Sequence, residues 1–267
     1  MNLAIAERCR AGERLTAAEL DELGTVDVLS LGMLADDVRR ARVGETVTYA
    51  RDAETRLTTL PATIDETLAA IRSAKASANE VAGFSLADII DRCRDGSWGP
   101  LTDVLATLAS AGLTAIAEAP VDRIADVTAA LQAAAGAGLP VECLSLQKPW
   151  TGSRTDYILK VRSIVEQFPS IQTVAPLPRE QSIAVPTTGY DDVRAVALAR
   201  LALPTVKRIQ VDWSQYGPKL AQVALTFGAN DLDRVSTVDD ESLGRRRTSA
   251  EDVRRNVAAA GFTAIER

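Results

Sequence analysis

Residues 206–233 read VKRIQVDWSQYGPKLAQVALTFGANDLD, and their pattern indicates the type of fold. The segment 206–213 is rich in β-branched and other apolar side chains and predicts a strand. Pro218 suits the start of a helix, and Gly228 suits the point at which that helix ends. A second strand is expected from Ala229. A strand, a helix and another strand in this order make up the unit from which parallel sheets are built.

The same alternation of strands and helices runs through the preceding residues. The apolar spacing predicts helices over 101–108, 124–131, 158–168 and 193–201, and strands over 114–117, 141–146 and 171–174. A last helix, capped by Ser249 and Asp252, is expected to run to Gly261. Parallel strands joined by right-handed crossovers close most economically into a barrel, whose chemistry lies at the carboxyl ends of the strands. The sequence therefore predicts an α/β fold of the TIM-barrel-like, parallel type.

The first residues of the chain predict helices that lead into this barrel. Thr16 and Glu19 have the spacing of a capping box, and Gly44 is a natural helix end. A short strand is expected over 46–49, which read TVTY. We therefore expect a helical lead-in over residues 1–44.

Residues 51–98 are polar and rich in alanine, and they give no clear assignment. The first half of the barrel is therefore expected to be shortened or incomplete. We predict one domain over 1–267, made of a helical extension over 1–45, a barrel over 46–240 and a C-terminal helix over 241–267.

The composition limits the function classes. The net charge is −6 and the lysines and arginines are scattered, which argues against nucleic acid and anionic membrane surfaces as partners. The N-terminus lacks the apolar core of a secretory signal and no run reaches membrane-spanning length, so a cytoplasmic location is expected. The chain contains no histidine, which excludes serine-histidine and cysteine-histidine hydrolase mechanisms.

The three cysteines, Cys9, Cys93 and Cys143, are odd in number and far apart. Neither a disulfide framework nor a zinc site is suggested by that spacing. A reducing compartment is consistent with it. We expect Cys93 and Cys143 to behave as small buried apolar residues.

Three stretches of the chain carry a resemblance to a known family. The first stretch consists of 11–15 (AGERL), 31–36 (LGMLAD) and 44–49 (GETVTY). The second joins 188–192 (TGYDD) to 199–201 (ARL).

The third stretch is the most specific, with 217–225 (GPKLAQVAL) followed by 227–233 (FGANDLD). Together the three resemble the radical S-adenosylmethionine (SAM) enzymes of the futalosine route to menaquinone, namely aminofutalosine synthase and dehypoxanthine futalosine cyclase, and more distantly the deazaflavin-forming synthases. The likeness covers residues 10–50 and 110–265. It implies a barrel of the radical SAM type.

The defining cysteine motif of that family is missing. The expected CxxxCxxC would begin near Pro61, where residues 57–63 read LTTLPAT. Three thiolates hold three irons of the family's four-iron, four-sulfur cluster and leave the fourth iron for S-adenosylmethionine. We therefore expect no cofactor and no metal site in this chain. A further departure is Arg234, which stands where the family has a glycine after Asp233.

Residues at the predicted strand ends are the candidates for ligand binding. Carboxylates and an amide can hold polar groups of a ligand, and aromatic rings can stack on a base or a quinone-like ring. Loop capping and ordinary packing explain the same residues as well. The candidates are Asp212, Trp213, Tyr216, Asn230, Asp231 and Asp233.

Three further residues are weaker, catalytic candidates. Glu118 and Asp122 are spaced so that a turn can bring both carboxylates to one mouth for acid-base work. A solvated helix N-terminus explains them equally well. Lys148 ends a strand and would become a reactive amine if desolvated, although lysines at strand ends usually reach solvent.

A retained scaffold without cluster ligands predicts a cluster-less homologue of the menaquinone radical SAM enzymes. Its expected role is that of a non-radical ligand-binding or partner protein of the futalosine pathway. The expected partners are a nucleoside-like or chorismate-derived small molecule, a second copy of the chain or an active homologue. The alternatives are a repurposed non-redox enzyme that uses barrel-mouth carboxylates on a nucleoside-like or aromatic carboxylate substrate, and a purely structural subunit.

Overall fold

The computed structural model of the chain describes residues 2–51, 56–180, 186–236 and 249–267. These residues form two compact units. The larger unit comprises Met1–Asp52, Lys148–Gln167 and Gln172–Arg267. The smaller unit comprises Ala53–Gln147 and Phe168–Ile171. The single-domain boundaries given above stay a prediction.

The secondary-structure elements alternate along most of the chain. The first part contains α1 (Leu3–Ala11), α2 (Ala17–Thr25), α3 (Val28–Val43), β1 (Thr46–Arg51), β2 (Arg56–Leu57), α4 (Ile64–Ser77), β3 (Ala82–Ser85), α5 (Leu86–Arg94) and α6 (Leu101–Ala111). The middle contains β4 (Ala115–Pro120), α7 (Val127–Gly136), β5 (Cys143–Leu146), α8 (Arg154–Gln167) and β6 (Thr173–Pro178). The last part contains α9 (Gly189–Ala202), β7 (Arg208–Asp212), α10 (Trp213–Leu225), β8 (Asp231–Val235), α11 (Ser249–Ala259) and β9 (Thr263–Glu266).

Each unit contains a row of parallel strands. In the larger unit the strand order is β6-β7-β8-β1-β9, and every assigned pair is parallel. In the smaller unit the order is β2-β3-β4-β5, again with parallel pairs. Parallel neighbours require crossover connections, which the intervening helices supply. The α/β class predicted from the sequence is therefore the one observed.

Several local predictions are confirmed and others need correction. The capping box of Thr16 and Glu19 is present at the start of α2. The helix predicted to begin at Pro218 begins at Trp213, because a kink at Gly217, with φ of 71°, joins a preceding turn to it. The unassigned stretch 51–98 contains β2, α4, β3 and α5, and β9 was not predicted at all. Short strands and alanine-rich helices carry a weak periodic signal, so both were missed.

Two fully buried arginines hold the start of β8 in the larger unit. Arg200 donates from Nε to the Gly228 carbonyl oxygen at 2.8 Å and from Nη2 to Asn230 Oδ1 at 2.5 Å. Arg39 donates to the carbonyl oxygens of Ala229 and Gly44. Burial, with the nearby charge of Arg39, lowers the pKa of Arg200 to about 9. The main use of these guanidinium groups is to satisfy backbone carbonyls around the turn that leads into β8.

Among the described helices, none combines the length and apolar character needed to cross a bilayer. The cytoplasmic location stays a prediction.

The packing of α3 against Phe227 generates a stability prediction. A Cβ atom on Gly32 would lie 2.6 Å from Phe227 Cε1, whereas a Cβ on Gly24 in α2 would meet nothing within 4 Å. Gly32→Ala is expected to lower the free energy of unfolding by about 1–3 kcal/mol through overpacking. Gly24→Ala should raise it by about 0.5–1 kcal/mol through helix propensity. Urea denaturation measures both, and a Gly32→Ala variant as stable as Gly24→Ala would contradict the packing described.

Candidate functional site

Polar side chains occupy one face of β7 and β8 in the larger unit. Gln210 and Asp212 lie two residues apart on β7, and Asp231 and Asp233 lie two apart on β8, so each pair shares a face. The strand register sets Gln210 opposite Asp231 and Asp212 opposite Asp233. All four side chains are buried, with no more than 3% exposure. We call this surface the strand-end face, defined by these four residues together with Arg179.

Arg179 joins three of these side chains. It follows β6, and its side chain is 3% exposed. Its Nη1 lies 3.3 Å from Asp212 Oδ2, and its Nη2 lies 3.0 Å from Gln210 Oε1 and 3.4 Å from Asp233 Oδ2. Because a buried carboxylate is costly unless it is paired and hydrogen-bonded, this guanidinium is what allows two carboxylates to stay on a buried face.

Asp231 is held by a second set of donors. Gln210 Nε2 donates to Asp231 Oδ2 at 2.7 Å, and Thr48 Oγ1 on β1 donates to Oδ1. The Arg267 guanidinium binds both carboxylate oxygens, with Nε at 2.9 Å and Nη2 at 3.0 Å. This bidentate geometry is the strong form of an arginine-carboxylate pair. Asp231, completely buried, is therefore rigidly oriented.

The end of β7 leads directly into a helix. Asp212 caps α10 by accepting a hydrogen bond from the Gln215 amide at 2.9 Å, and Arg234 lies 3.3 Å from the same carboxylate. Trp213 is the first residue of α10 and is buried. The Tyr216 hydroxyl donates to the Pro178 carbonyl oxygen at 2.8 Å. Burial, and then the negative charges of Asp192 and Asp212, raise the pKa of Tyr216, so its phenol stays protonated.

Asn230 makes three side-chain hydrogen bonds within the protein. Its Oδ1 accepts from Arg200 and from the Ile209 amide, and its Nδ2 donates to the Lys207 carbonyl oxygen. These bonds tie β7 to β8. The amide therefore sets the alignment of the two strands, and its role in ligand binding stays a prediction.

The three weaker candidates lie on other elements. Glu118 is on β4, half-buried and opposite Ser85 on β3. Asp122 accepts a hydrogen bond from the Gln147 amide at 2.8 Å, which ties the turn after β4 to the end of β5. Both belong to the smaller unit, whereas Lys148, exposed, belongs to the larger one. Catalytic roles for these residues stay predictions.

The sequence predictions did not include four of the residues that make up or hold the strand-end face. Gln210 carried a signal, because it lies two residues before Asp212 and must share its face. Arg179 lies beyond the strand predicted over 171–174 and was not singled out. Thr48 and Arg267 reach Asp231 through the pairing of β1 with β8 and with β9. No local pattern reveals such pairing between distant strands.

The cysteines do not fit a four-iron, four-sulfur cluster. Cys9 is buried in α1, Cys93 is half-buried in α5, and Cys143 is buried in β5. Burial raises the pKa of Cys9 to about 11 and also raises that of Cys93, which disfavours the thiolate that a metal requires. In the described part of the chain, no group of three cysteine, histidine or acidic side chains is arranged to hold a metal ion. No step through such a cluster can be assigned to these residues.

Comparison with known proteins finds a family model that matches the C-terminal part of the chain. Residues 164–267 match a family model described as the CofH/MqnC C-terminal region. This part of the chain is similar to the CofH/MqnC group of proteins. The match contains the whole strand-end face.

Two curated relatives are named 5-amino-6-(D-ribitylamino)uracil–L-tyrosine 4-hydroxyphenyl transferase. The protein from Archaeoglobus fulgidus is 34% identical over 105 residues, which are 37% of this chain and 31% of the relative. A second transferase of this name, from Methanosarcina barkeri, is 35% identical over 132 residues, which are 43% of this chain and 34% of the relative. The chain thus spans about a third of the length of these relatives.

Solved structures support the fold. The methylornithine synthase PylB aligns with a TM-score of 0.68 at 13% identity, over 98% of this chain and 97% of that protein. The FeFe-hydrogenase maturase HydG from Carboxydothermus hydrogenoformans aligns with a TM-score of 0.58 at 12% identity, over 98% of this chain and 78% of that protein. The predicted α/β fold of the parallel-barrel class is therefore confirmed.

The predicted link to menaquinone biosynthesis is wrong. The curated relatives carry the transferase name given above, and the futalosine route appears in none of those names. The second and third stretches that suggested the link lie within residues 164–267, which match a family model whose description names both CofH and MqnC. A shared scaffold does not identify the pathway.

The poor fit of the cysteines generates a prediction. Anaerobic incubation of the purified chain with iron and sulfide should give no stoichiometric absorbance near 400 nm and no paramagnetic signal after reduction. The reason is that two of the three thiols are buried and none forms a triad. A Cys93→Ser variant is the control, because it should behave like the unaltered chain. A cluster that forms in the unaltered chain and is lost in this variant would contradict the assignment.

Proposed function

We propose that this chain binds a polyhydroxylated nitrogen heterocycle of the 5-amino-6-(D-ribitylamino)uracil class on the strand-end face. The observation that carries the proposal is the row of buried carboxylates, Asp212, Asp231 and Asp233, in register on two parallel strands. Asp212 is the last residue of β7, and the carboxyl ends of parallel strands are where ligands bind in such folds. The curated relatives that match this chain are named for an action on 5-amino-6-(D-ribitylamino)uracil.

The chemistry of the strand-end face suits such a molecule. Ribityl hydroxyls and ring N–H groups are donors, and the carboxylate oxygens of Asp212 and Asp233 are acceptors for such groups. The uracil carbonyls are acceptors that guanidinium and amide groups such as those of Arg179 and Gln210 can serve. The polar side chains hold one another in place before a ligand binds. The entropy cost of ordering these side chains on binding is therefore small.

The proposal assigns binding and not group transfer. The transferase reaction in the relatives' name is not extended to this chain, because the chain spans about a third of their length. Its cysteines also do not fit the cluster that radical SAM chemistry uses. Recognition of the heterocycle needs only the residues of the strand-end face.

Isothermal titration calorimetry with 5-amino-6-(D-ribitylamino)uracil tests this proposal. The unaltered chain is expected to bind it, and Asp233→Asn should weaken binding by about tenfold or more, which corresponds to about 1.4 kcal/mol. This change keeps the shape of the side chain and removes a charged acceptor. Asp37→Asn on α3 is the matched control, because Asp37 is exposed and paired with Arg10.

The two outcomes are distinct. Loss of affinity in Asp233→Asn with none in Asp37→Asn supports the strand-end face as the binding site. Absence of binding to the unaltered chain, or equal affinity in Asp233→Asn, overturns the proposal. Circular dichroism of each variant establishes that the fold is retained.

A further inference from the structure

β9 is an outer strand of the larger unit. Within the described residues it pairs with β1 alone, through bonds such as that from the Thr263 amide to the Glu45 carbonyl oxygen at 3.0 Å. Three of its four residues, Thr263, Ile265 and Glu266, are exposed. Segments with little buried surface and few paired neighbours are the ones that open locally at low free energy.

β9 is anchored at its start by the residue that precedes it. Phe262 is buried, and the guanidinium groups of Arg39 and Arg40 lie over its ring, with Cζ atoms 3.7 Å and 4.4 Å from the ring centroid. A cation over an aromatic face is a favourable contact. The start of β9 is therefore fixed to α3, and its far end is held by a different contact.

That contact is made by Arg267, which reaches the strand-end face. Its guanidinium binds both oxygens of Asp231, with Nε at 2.9 Å and Nη2 at 3.0 Å. The Asp231 side chain is 0% exposed, whereas the Arg267 side chain is 28% exposed. Of the two partners, Arg267 is the one that solvent reaches. The parallel pair of bonds also shows which chemical group this carboxylate matches.

The other groups that orient Asp231 do not come from β9. Gln210 on β7 donates to Oδ2 at 2.7 Å, and Thr48 on β1 donates to Oδ1. Neither bond involves β9, so both can persist when its end leaves the sheet. Departure of Arg267 then exposes an oriented carboxylate without its cation, which is costly unless another cation takes its place.

We propose that Asp231, Gln210 and Thr48 form a binding site for a guanidinium-bearing molecule, and that Arg267 fills this site from within the chain. β9 is thus a strap across the strand-end face. A molecule with a free guanidinium group displaces Arg267, and the end of β9 then separates from β1. Control of access to the strand-end face in this way rests on the proposed function, whereas the guanidinium site itself does not.

Chemical rescue of Arg267→Ala tests the site. The variant lacks the guanidinium, so its melting temperature should fall. Methylguanidinium should restore most of that loss, because binding to the folded state raises the melting temperature. It should also bind Arg267→Ala about tenfold more tightly than methylammonium does, because a point charge cannot engage both carboxylate oxygens in parallel. Scanning fluorimetry with each salt measures both effects.

Two variants serve as controls for the rescue. Arg267→Ala combined with Asp231→Asn removes the carboxylate that receives the probe, so methylguanidinium should not stabilise it. Arg10→Ala removes an exposed guanidinium that pairs with Asp37 between α1 and α3. Its melting temperature should respond to methylguanidinium only as that of the unaltered chain does, which measures the general effect of the salt.

Hydrogen exchange of the unaltered chain tests the strap. Methylguanidinium should speed amide exchange in β9 by about tenfold or more, which corresponds to about 1.4 kcal/mol in the free energy of opening. Exchange in β7 and β8 should stay unchanged, because only β9 leaves the sheet. Methylammonium at the same concentration should leave β9 unchanged.

Each result decides the inference. Rescue of Arg267→Ala that Asp231→Asn abolishes, with faster exchange confined to β9, supports it. Absence of rescue, equal rescue by methylammonium, or β9 exchange that methylguanidinium leaves unchanged overturns it. If Arg267→Ala fails to fold, the exchange measurement on the unaltered chain decides alone. Failure of 5-amino-6-(D-ribitylamino)uracil to bind overturns the proposed function and leaves these results unaffected.

Discussion

The contact of Arg179 with Asp212, Gln210 and Asp233 is the interaction on which the strand-end face depends. Two carboxylates on adjacent parallel strands would repel each other in a buried setting without a cation between them. Arg179 supplies that cation from the residue after β6. With its charge compensated, Asp212 also caps α10 by accepting a hydrogen bond from the Gln215 amide. Asp233 lies on the same face and is buried from solvent.

A second set of interactions holds Asp231, two register positions earlier on the strands. Asp231 is bound by Arg267 and Gln210, and Arg200 and Asn230 fix the turn and the register that place it there. Polar networks of this kind specify one arrangement when every member is satisfied. The larger unit therefore uses several buried polar groups to keep the carboxylates oriented on one face of β7 and β8.

The sequence predicted the class of fold and part of the strand-end face. Strong apolar periodicity revealed β7, α10 and β8 within a few residues, and the strand-end rule selected Asp212, Asp231 and Asp233. It could not reveal Arg267 or Thr48, because their proximity to Asp231 comes from pairing of strands far apart in the chain. It also could not reveal the bulge that turns Arg234 toward Asp212, since the residue type there disfavours the observed backbone.

The pathway could not be inferred from the scaffold. Residues such as 217–225 and 227–233 maintain the shape of the last βα units, and the family model for this region covers both CofH and MqnC. The missing cysteine motif, in contrast, was read from the sequence, because three thiols with fixed spacing are a requirement of the chemistry. Motifs tied to a reaction are therefore more informative here than likeness of the packed elements.

The free energy of unfolding of Arg179→Met, measured by urea denaturation, tests the central claim most directly. Removal of the guanidinium takes this cation from the buried Asp233 and leaves Asp212 with Arg234, so a loss of about 3–5 kcal/mol is expected. Adding Asp233→Asn to Arg179→Met should recover part of that loss, because one uncompensated charge is removed. A loss below about 1 kcal/mol, typical of an exposed ion pair, would contradict the account.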